Sequence, residues 1–470
     1  MIMLVAIPCC LAFSLYHGIK ALVSTYIVSF PDLGLQGIQF KDSPLFPSRA
    51  PFSPHRLLLS PSATSSTFLT LPTHYRPTRH LNNIKMMKSL LSTLLLLCTL
   101  VSVNAVPVVP LSSTDIKAKS AQGLRLLTLA EGVAPVWKTE SQVLDLIRGG
   151  KKFFDVTETY EVEKKIASAR ASGDVSIQQT YAAPSHQTAV KAILATMTSA
   201  NMQTYLTTLT AFNNRYYKSA TGASASTWIA NTAKDIATKY GRTDVEVSLF
   251  AHSFVQSSII VRIPGTNTAN PRVLLGAHMD SINLSNPTSG RAPGADDDGT
   301  GTVNLLEAYR ALLQGNFRPT STVEFQFYAA EEAGLLGSQA IATKYKNDGV
   351  AVRGHYQLDM TGYFKPGTKE VMALAPDYID SSLNEFTKQL ITAYASIPWG
   401  TDLACGYACS DHASFNKVGY PTTYPFEAVT GNDNQLIHSA SDTTSVSGFS
   451  WSHSLEFAKV AAAFAYELGI

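Results

Sequence analysis

Val273-Leu274-Leu275-Gly276-Ala277-His278-Met279-Asp280 carries the clearest strand pattern of this chain. Its apolar first half is typical of a strand buried on both faces of a sheet. Side chains two residues apart on a strand point to the same face, so we expect His278 and Asp280 to leave the sheet together. A carboxylate that orients an imidazole is common at metal sites. Because the glycine-flanked run Asp296-Asp297-Asp298 follows shortly afterwards, the sequence favours a metal site over a solvated acidic loop.

Alternating helix and strand patterns extend outward from this strand. Further strands are predicted at 245–254, 257–263, 322–328, 354–359, 370–374 and 422–425. Helices are predicted at 186–207, 227–239, 301–313, 338–345, 383–394 and 452–468. Such alternation predicts an α/β fold, a three-layer sandwich whose central mixed, mostly parallel sheet is flanked by helices. In such folds, sites collect beyond the carboxyl ends of the strands.

Composition limits the classes of function open to these 470 residues. Only 15% of the residues are charged, and the formal net charge is +2. A chain without a basic field is poorly suited to electrostatic binding of nucleic acid, so we expect no nucleic-acid partner. The sequence contains no internal repeats, and fewer domains are expected than the two or three that its length allows.

A leucine-rich run separates Met86-Met87-Lys88 from Val103-Asn104-Ala105. A positive start, an apolar core and small residues before a cleavage position are typical of a secretory signal peptide, and we assign this role to residues 86–105. The apolar core is shorter than the ~20 residues of a membrane span, although an uncleaved anchor is the alternative. Residues 1–85 are then expected to be a gene-model extension or disordered. The mature protein is expected to be secreted and extracellular.

Two regions follow the signal peptide. Residues 106–177 have helical patches but no run of buried strands, as expected of a propeptide, and residues 178–470 hold the globular pattern. In a secreted chain, Cys405 and Cys409 are expected to form a small disulfide loop, with a zinc-binding cysteine pair as the alternative. Asn283 begins a glycosylation sequon.

Reactive side chains follow four of the predicted strands. They are His278 and Asp280, Glu331 and Glu332, Asp359, and, after a short final strand, His438. Parallel strands bring such ends to one rim, and imidazole with carboxylate ligands suits zinc, with manganese or cobalt as the alternative. Two histidines, Asp359, one glutamate and one bridging aspartate can hold two metals that activate water for hydrolysis. Spacing does not tell which aspartate bridges, or which glutamate ligates while the other serves as general base. A capping or solvated role is the alternative for each residue taken alone.

Four segments resemble the signature motifs of the dizinc aminopeptidase family: 276–281 (GAHMDS), 292–298 (APGADDD), 330–338 (AEEAGLLGS) and 357–360 (QLDM). Residues 405–414 (CGYACSDHAS) and 437–438 (IH) also match, and 212–217 (FNNRYY) and 227–229 (TWI) resemble the opening of secreted fungal and bacterial leucine aminopeptidases. Residues 153–157 (FFDVT) are similar to the end of the fungal propeptide. The resemblance runs in unbroken order from Tyr181 to Ile470.

This resemblance implies two zinc ions per subunit held by five ligands, namely His278, Asp297, Glu332, Asp359 and His438. It makes Asp297 the bridging ligand, with His278 and Asp359 on one zinc and Glu332 and His438 on the other. It also makes Glu331 the general base and Asp280 the carboxylate that orients His278. Tyr407, held by the Cys405–Cys409 disulfide, becomes the donor to the oxyanion. The resemblance implies an apolar substrate pocket at Met360, Phe426 and Ile437.

The activity implied is that of a secreted, zymogen-type leucyl aminopeptidase that acts on peptides with a free N-terminus and prefers leucine and other apolar residues. Its own propeptide is the expected partner, a monomer is the expected state, and no membrane partner is expected. A glutaminyl cyclase or a carboxypeptidase on the same fold is the alternative, as is a non-catalytic binding protein. The carboxypeptidase would need an arginine cluster near the pocket, and the full ligand set disfavours the binding protein.

Ser410-Asp411-His412 contains the three residue types of a serine-hydrolase triad. Three consecutive residues cannot normally align for proton relay, and no Gly-x-Ser-x-Gly turn is present in the sequence. We therefore expect no nucleophilic serine here.

Overall fold

The main sheet of the computed structural model is built around the strand that ends at His278. The model describes residues 111–130, 132–172 and 179–470, all within the compact unit Ala105–Ile470. The expected signal peptide (86–105) and residues 1–85 lie outside the described residues.

The described strands are β1 (Leu124–Thr128), β2 (Val136–Thr139), β3 (Phe154–Asp155), β4 (Glu246–Phe250), β5 (Ser258–Ile263), β6 (Arg272–His278), β7 (Val323–Tyr328), β8 (Val352–Gln357), β9 (Met372–Leu374), β10 (Trp399–Thr401), β11 (Thr422–Thr423) and β12 (Pro425–Phe426). The described helices are α1 (Ser113–Ala121), α2 (Glu140–Arg148), α3 (Tyr160–Ala171), α4 (Gln187–Leu194), α5 (Ser199–Ala211), α6 (Ala220–Lys239), α7 (Gly301–Gln314), α8 (Leu336–Asn347), α9 (Ser381–Tyr394), α10 (His412–Lys417) and α11 (Trp451–Gly469). In the part of the chain that the structure describes, none of these helices has the length and apolar character needed to cross a bilayer.

The main sheet has the strand order β11-β8-β6-β7-β5-β4. β11, β8, β6 and β7 pair in parallel, whereas β5 pairs antiparallel with both β7 and β4. The predicted mixed α/β sheet is therefore confirmed. Two shorter sheets have the orders β2-β1-β3 and β10-β9-β12.

Apolar side chains of β6 alternate between two helix-covered faces of this sheet. Val273 and Leu275 belong to the cluster that contains Leu306 of α7. Leu274 points the other way and packs in a cluster with Ile341 of α8. All three β6 side chains are fully buried, and burying a side chain of this size contributes about 1.5–3 kcal/mol. The strand is thus fixed from both sides, and the position of its last residue, His278, is fixed with it.

The amino-terminal segment, defined as residues 111–172, is more regular than the sequence indicated. β1 pairs antiparallel with β2 and β3, and α2 begins with a capping box in which Thr139 and Gln142 exchange side-chain to backbone hydrogen bonds. Its strands are too short to form a core alone. Leu127 is buried in a cluster with Tyr216 and Ile282 of the following region, so the order of the segment depends on docking.

The helix predicted at 186–207 is in fact two helices, α4 and α5, separated at residues 195–198. The Thr196 hydroxyl donates to the carbonyl of Ile193 (2.8 Å), a local bond that competes with helix continuation. The backbone N–H of Thr198 donates to the Glu307 carboxylate (2.9 Å). The break therefore depends on a contact with α7, which helical periodicity does not report.

Candidate metal centre

Loops at the carboxyl ends of neighbouring strands bring the predicted ligands together. His278 ends β6, Glu331 and Glu332 follow β7, and Asp359 follows β8. Because these strands are parallel neighbours, their ends lie at the same edge. Asp297 arrives separately, in the irregular turn Ala295–Thr300 before α7.

His438 reaches the site without a strand. The short strand predicted before it is wrong, because residues 435–436 form a turn and His438 has a φ of 55°, outside the strand region. The backbone N–H of Leu284 donates to the His438 carbonyl (3.0 Å). A contact with a distant loop thus sets its position.

Two groups of three ligand-type side chains share Asp297: His278, Asp297 and Asp359 in one, and Asp297, Glu332 and His438 in the other. His278 Nε2 lies 3.1 Å from Asp297 Oδ1 and 3.5 Å from Asp359 Oδ1. His438 Nε2 lies 2.9 Å from Asp297 Oδ2 and 3.0 Å from Glu332 Oε2. Asp297 thus presents one carboxylate oxygen to each histidine.

These separations fit ligands around a metal cation. Ligand atoms at ~2.0–2.1 Å from a tetrahedral zinc lie ~3.3 Å from one another, close to the nitrogen–oxygen distances found here. Among the described residues, Glu332 Oε1 is buried and has no hydrogen-bond partner, which a coordinating oxygen would not need. Three buried carboxylates beside two imidazoles also require positive charge to offset their desolvation. The donor set therefore fits a bound metal.

The Asp280 carboxylate holds three parts of the centre at once. Its two oxygens accept the backbone N–H groups of Glu331 (3.0 Å) and Glu332 (3.2 Å). Its Oδ1 also lies 3.4 Å from His278 Nδ1. Asp280 thus links the end of β6 to the loop after β7, a wider role than the orientation of His278 that the sequence suggested.

The two other aspartates of the acidic run serve the backbone. Asp298 accepts the N–H groups of His278 (3.1 Å) and Met360 (3.1 Å), whereas Asp296 accepts that of Gly362 (2.9 Å). Asp297 alone of the three belongs to the ligand groups. The geometry thereby separates three residues that spacing left equivalent.

Comparison with known proteins identifies the family. Residues 258–465 match the family model described as peptidase family M28. The chain is 41% identical over 355 residues to leucine aminopeptidase 1 of Blastomyces gilchristii (strain SLH14081), covering 74% of this chain and 89% of that protein. This chain belongs to peptidase family M28. It is an aminopeptidase and a hydrolase, with peptides as substrates and a metal as cofactor.

Further relatives agree. The M28 chain is 41% identical over 342 residues to leucine aminopeptidase 1 of Aspergillus oryzae (strain RIB 40), covering 71% of this chain and 86% of that protein. The solved LapA aminopeptidase of Legionella pneumophila is similar in structure, with a TM-score of 0.65 and 28% identity over 74% of this chain and 98% of that one. LapB of the same organism gives a TM-score of 0.64 and 27% identity, covering 76% and 98%.

Glu331 of this M28 peptidase lies beside the ligands but belongs to neither ligand group. Its side chain is buried, and burial raises the pKa of its carboxyl well above the ordinary value, with opposing effects from His278 and Lys152. A buried carboxyl that lies beside both groups and belongs to neither is suited by its position to proton transfer.

Tyr407 lies in the loop closed by Cys405 and Cys409, whose predicted disulfide is present with a Cα–Cα distance of 6.2 Å. Burial raises the pKa of the Tyr407 phenol above its ordinary value, and the nearby Glu331 carboxylate adds to this against the effect of Lys152. The hydroxyl therefore keeps its proton and can donate a hydrogen bond.

Of the three residues expected to line the substrate pocket, Met360 and Ile437 lie on loops and Phe426 lies in β12. Met360 directly follows Asp359, and Ile437 directly precedes His438. The ring of Phe426 packs on Tyr424 at 5.8 Å, and the Tyr424 hydroxyl donates to the Asp359 carbonyl (3.2 Å).

Sequence reasoning missed several supporting residues. Arg215 is fully buried and donates to the carbonyls of Met279 (2.6 Å), Pro293 and Gly294 (2.8 Å), which fixes the loop between β6 and the acidic run. Asp442 accepts the backbone N–H groups of Asp296 and Asp297, both at 3.1 Å. Arg215 lies in the 212–217 motif, so that motif was the available signal. No sequence pattern marked Asp442.

Ser410 contacts one of the ligand-type side chains. Its hydroxyl donates to Asp359 Oδ2 (2.5 Å), while neither ring nitrogen of His412 has a hydrogen-bond partner in the part of the chain that the structure describes. The arrangement agrees with the expectation that these residues form no serine-hydrolase triad.

Asn283, the predicted glycosylation residue, uses its side chain locally. Its amide donates to the Arg291 carbonyl (2.8 Å), and its Oδ1 accepts the Ser285 N–H (3.0 Å). A glycan on this nitrogen would require the first bond to rearrange.

Proposed function

We propose that this M28 aminopeptidase is a leucyl aminopeptidase that uses two zinc ions to release leucine and other apolar residues from the N-termini of peptides. The observation that carries the proposal is the sharing of Asp297 by two ligand groups, one oxygen facing each histidine. The names of the fungal relatives support the leucine preference. Helix clusters on both faces of the sheet support the three-layer form of the fold.

Each side chain of the centre then has a task. His278 and Asp359 would hold one zinc ion, and Glu332 and His438 would hold the other. Asp297 would be a ligand shared by both ions. When bound, the zinc ions supply Lewis-acid activation of the scissile carbonyl and of the attacking water. Glu331 takes the proton of that water and returns it to the leaving amine.

Two further groups complete the reaction. The Tyr407 hydroxyl donates to the oxygen that becomes negative at the tetrahedral stage. Met360, Phe426 and Ile437 would contact the side chain of the residue being released, and their apolar surface favours leucine.

Secretion and proteolytic maturation belong to the same proposal. Residues 86–105 would direct export, residues 106–177 would be removed as a propeptide, and residues 178–470 would remain as a monomeric enzyme carrying a glycan on Asn283. The support is the docking of the amino-terminal segment. For example, Asp155 N–H donates to the Gly334 carbonyl (3.3 Å), and Gln339 Nε2 donates to the Asp155 carbonyl (2.9 Å).

This docking supports inhibition of the uncleaved chain. Lys152 and Phe153 line the same cavity as Glu331, Glu332 and His438, and about 30 Å³ of it remains free. A space of this size admits a water, so the docked segment competes for this cavity with a substrate. Desolvation lowers the pKa of Lys152, but the carboxylates of Glu331 and Glu332 outweigh it, and the net pKa is raised. The ammonium therefore stays charged beside the Glu331 and Glu332 carboxylates.

We expect the full chain carrying both Lys152→Glu and Phe153→Asp, hereafter the opened variant, to hydrolyse leucine p-nitroanilide about tenfold faster than the unmodified chain. The first change sets like charges against Glu331 and Glu332. The second places a carboxylate in an apolar site, which costs docking about 1–3 kcal/mol. The measurement is kcat/KM, with thermal unfolding as a check that residues 179–470 stay folded.

Lys165→Glu is the matched control, because it changes an exposed lysine on α3 and should leave the rate at that of the unmodified chain. Equal activity of the unmodified chain and the opened variant would show that the segment does not block the site.

We expect a chelator to abolish hydrolysis of leucine p-nitroanilide by the opened variant and added zinc to restore it. Metal analysis should give about two zinc ions per chain, as two ligand groups require. The N-acetylated substrate serves as control, since a blocked amine should prevent cleavage. About one zinc per chain, together with cyclisation of N-terminal glutamine, would favour the glutaminyl cyclase alternative instead.

A further inference from the structure

Phe153 occupies an apolar pocket next to the metal centre. We define the Phe153 pocket by Leu284 and Gly334, which line one cavity with Phe153, and by the adjoining apolar cluster residues Tyr216, Ile282 and Ala333. Phe153 itself is buried, and it shares one apolar cluster with all of these residues except Gly334. Its ring lies so close to Gly334 that a Cβ there would come within 2.8 Å of Phe153 Cε2.

The pocket and the ligands border one space. Leu284 and Gly334 line the same cavity as Glu332 and His438. The backbone bond from Leu284 to the His438 carbonyl couples one wall to a ligand. Gly334 lies two residues after Glu332 and has a φ of 97°, which an L-residue rarely adopts. A side chain is therefore disfavoured at this point of the pocket wall.

Groups that bind a peptide main chain lie at the edge of this pocket. The Gly334 carbonyl accepts the N–H of Asp155, and Gln339 Nε2 donates to both the Asp155 carbonyl (2.9 Å) and the Gly334 carbonyl (2.7 Å). Gln339 is buried. An extended peptide leaving the metal centre could bond to the same Gly334 carbonyl and Gln339 amide. Because such bonds use the peptide main chain, they do not depend on the sequence of the peptide.

The pocket is separate from the one expected for the first substrate residue. Phe153 lines the cavity beside the metal centre, and none of Met360, Phe426 and Ile437 lines that cavity. Lys152 lines the same cavity as Glu331 and Glu332, and Phe153 is the next residue along the chain. The amino-terminal segment thus places a positively charged side chain, Lys152, and the adjacent apolar side chain of Phe153 in this cavity.

We propose that the Phe153 pocket binds the side chain of the substrate residue that follows the scissile bond, and that it selects apolar and aromatic residues at that position. The inference rests on the proposed aminopeptidase function, and on removal of Phe153 from the pocket when the enzyme is active. Peptides with a large apolar second residue are then the preferred substrates. Peptides with glycine or a charged residue there are poorer ones.

The test compares Leu-Phe-Gly with Leu-Gly-Gly as substrates of the opened variant. We expect kcat/KM to be about tenfold higher for Leu-Phe-Gly, because even small differences in apolar contact give discrimination of this order. Adding Leu284→Ser should lower that ratio to about threefold or less, since one wall becomes polar. The substitution falls at the middle position of the sequon that begins at Asn283, where any residue except proline is accepted, so glycosylation is not a second variable.

Leu249→Ser is the matched control on an exposed position of β4, and the ratio should not change. Equal rates for both peptides, or a ratio that Leu284→Ser leaves unaltered, would overturn the pocket assignment alone. A change in the preference for Leu-Gly-Gly over Ala-Gly-Gly caused by Leu284→Ser would overturn it too, because the pocket would then serve the first residue. Failure of the opened variant on every peptide would instead contradict the aminopeptidase function itself.

Discussion

Glu331→Ala, made in the opened variant, should lower kcat for leucine p-nitroanilide by about 10²–10⁴-fold, the contribution typical of a positioned acid–base group. Metal content should not change, because Glu331 belongs to neither ligand group and the Asp280 contact to its backbone N–H (3.0 Å) does not need its side chain. KM should change little, since the loss falls on the transition state. The measurements are steady-state kinetics and zinc per chain on the same sample.

Glu385→Ala is the matched control, a change at an exposed glutamate of α9, and both quantities should equal those of the opened variant. Near-normal turnover of the Glu331 variant would remove it from the mechanism. Loss of zinc together with activity would make it a ligand rather than a base. The Glu331→Gln variant keeps the side-chain volume, so similar loss there would show that the carboxylate, not packing, matters.

The part of the site that the sequence predicted well is the part attached to strands. His278 and Asp280 share a face because strand side chains alternate, and parallel pairing then puts Asp359 beside them. These relations are local or follow from fold class. The separation of Asp296, Asp297 and Asp298 is not local, because it depends on the N–H groups of Met360 and Gly362.

Two features depend on contacts far apart in sequence, and periodicity could not predict them. His438 lies in a turn whose position depends on a hydrogen bond from Leu284. The sequence motif identified the residue, but the strand predicted before it is absent from this turn. Lys152 belongs to the pair Lys151-Lys152, which matches no motif in the sequence, yet it lines the same cavity as Glu331 and Glu332. Its effect on the site requires the docking of a small sheet whose strands are too short to be recognised alone.

Replacing the residue that both ligand groups share should have the broadest effect on the metal. We expect Asp297→Ala, in the opened variant, to lower bound zinc from about two ions per chain to one or fewer, because each group loses one of its three ligands. Activity should fall by at least the ~10²–10³-fold that loss of one electrophilic group costs. Metal analysis after dialysis and zinc-induced change in the unfolding temperature are the measurements.

The fold should survive this substitution, because the acidic turn has other attachments. Asp442 still accepts the backbone N–H of residue 297, and Asp298 still accepts that of His278. Asp235→Ala on the exposed face of α6 is the matched control and should retain both ions. If the Asp297 variant kept two zinc ions and normal turnover, the two groups would not be bridged. Asp297 would then not be the shared ligand, and that part of the proposed mechanism would be wrong even though the family and the fold stand.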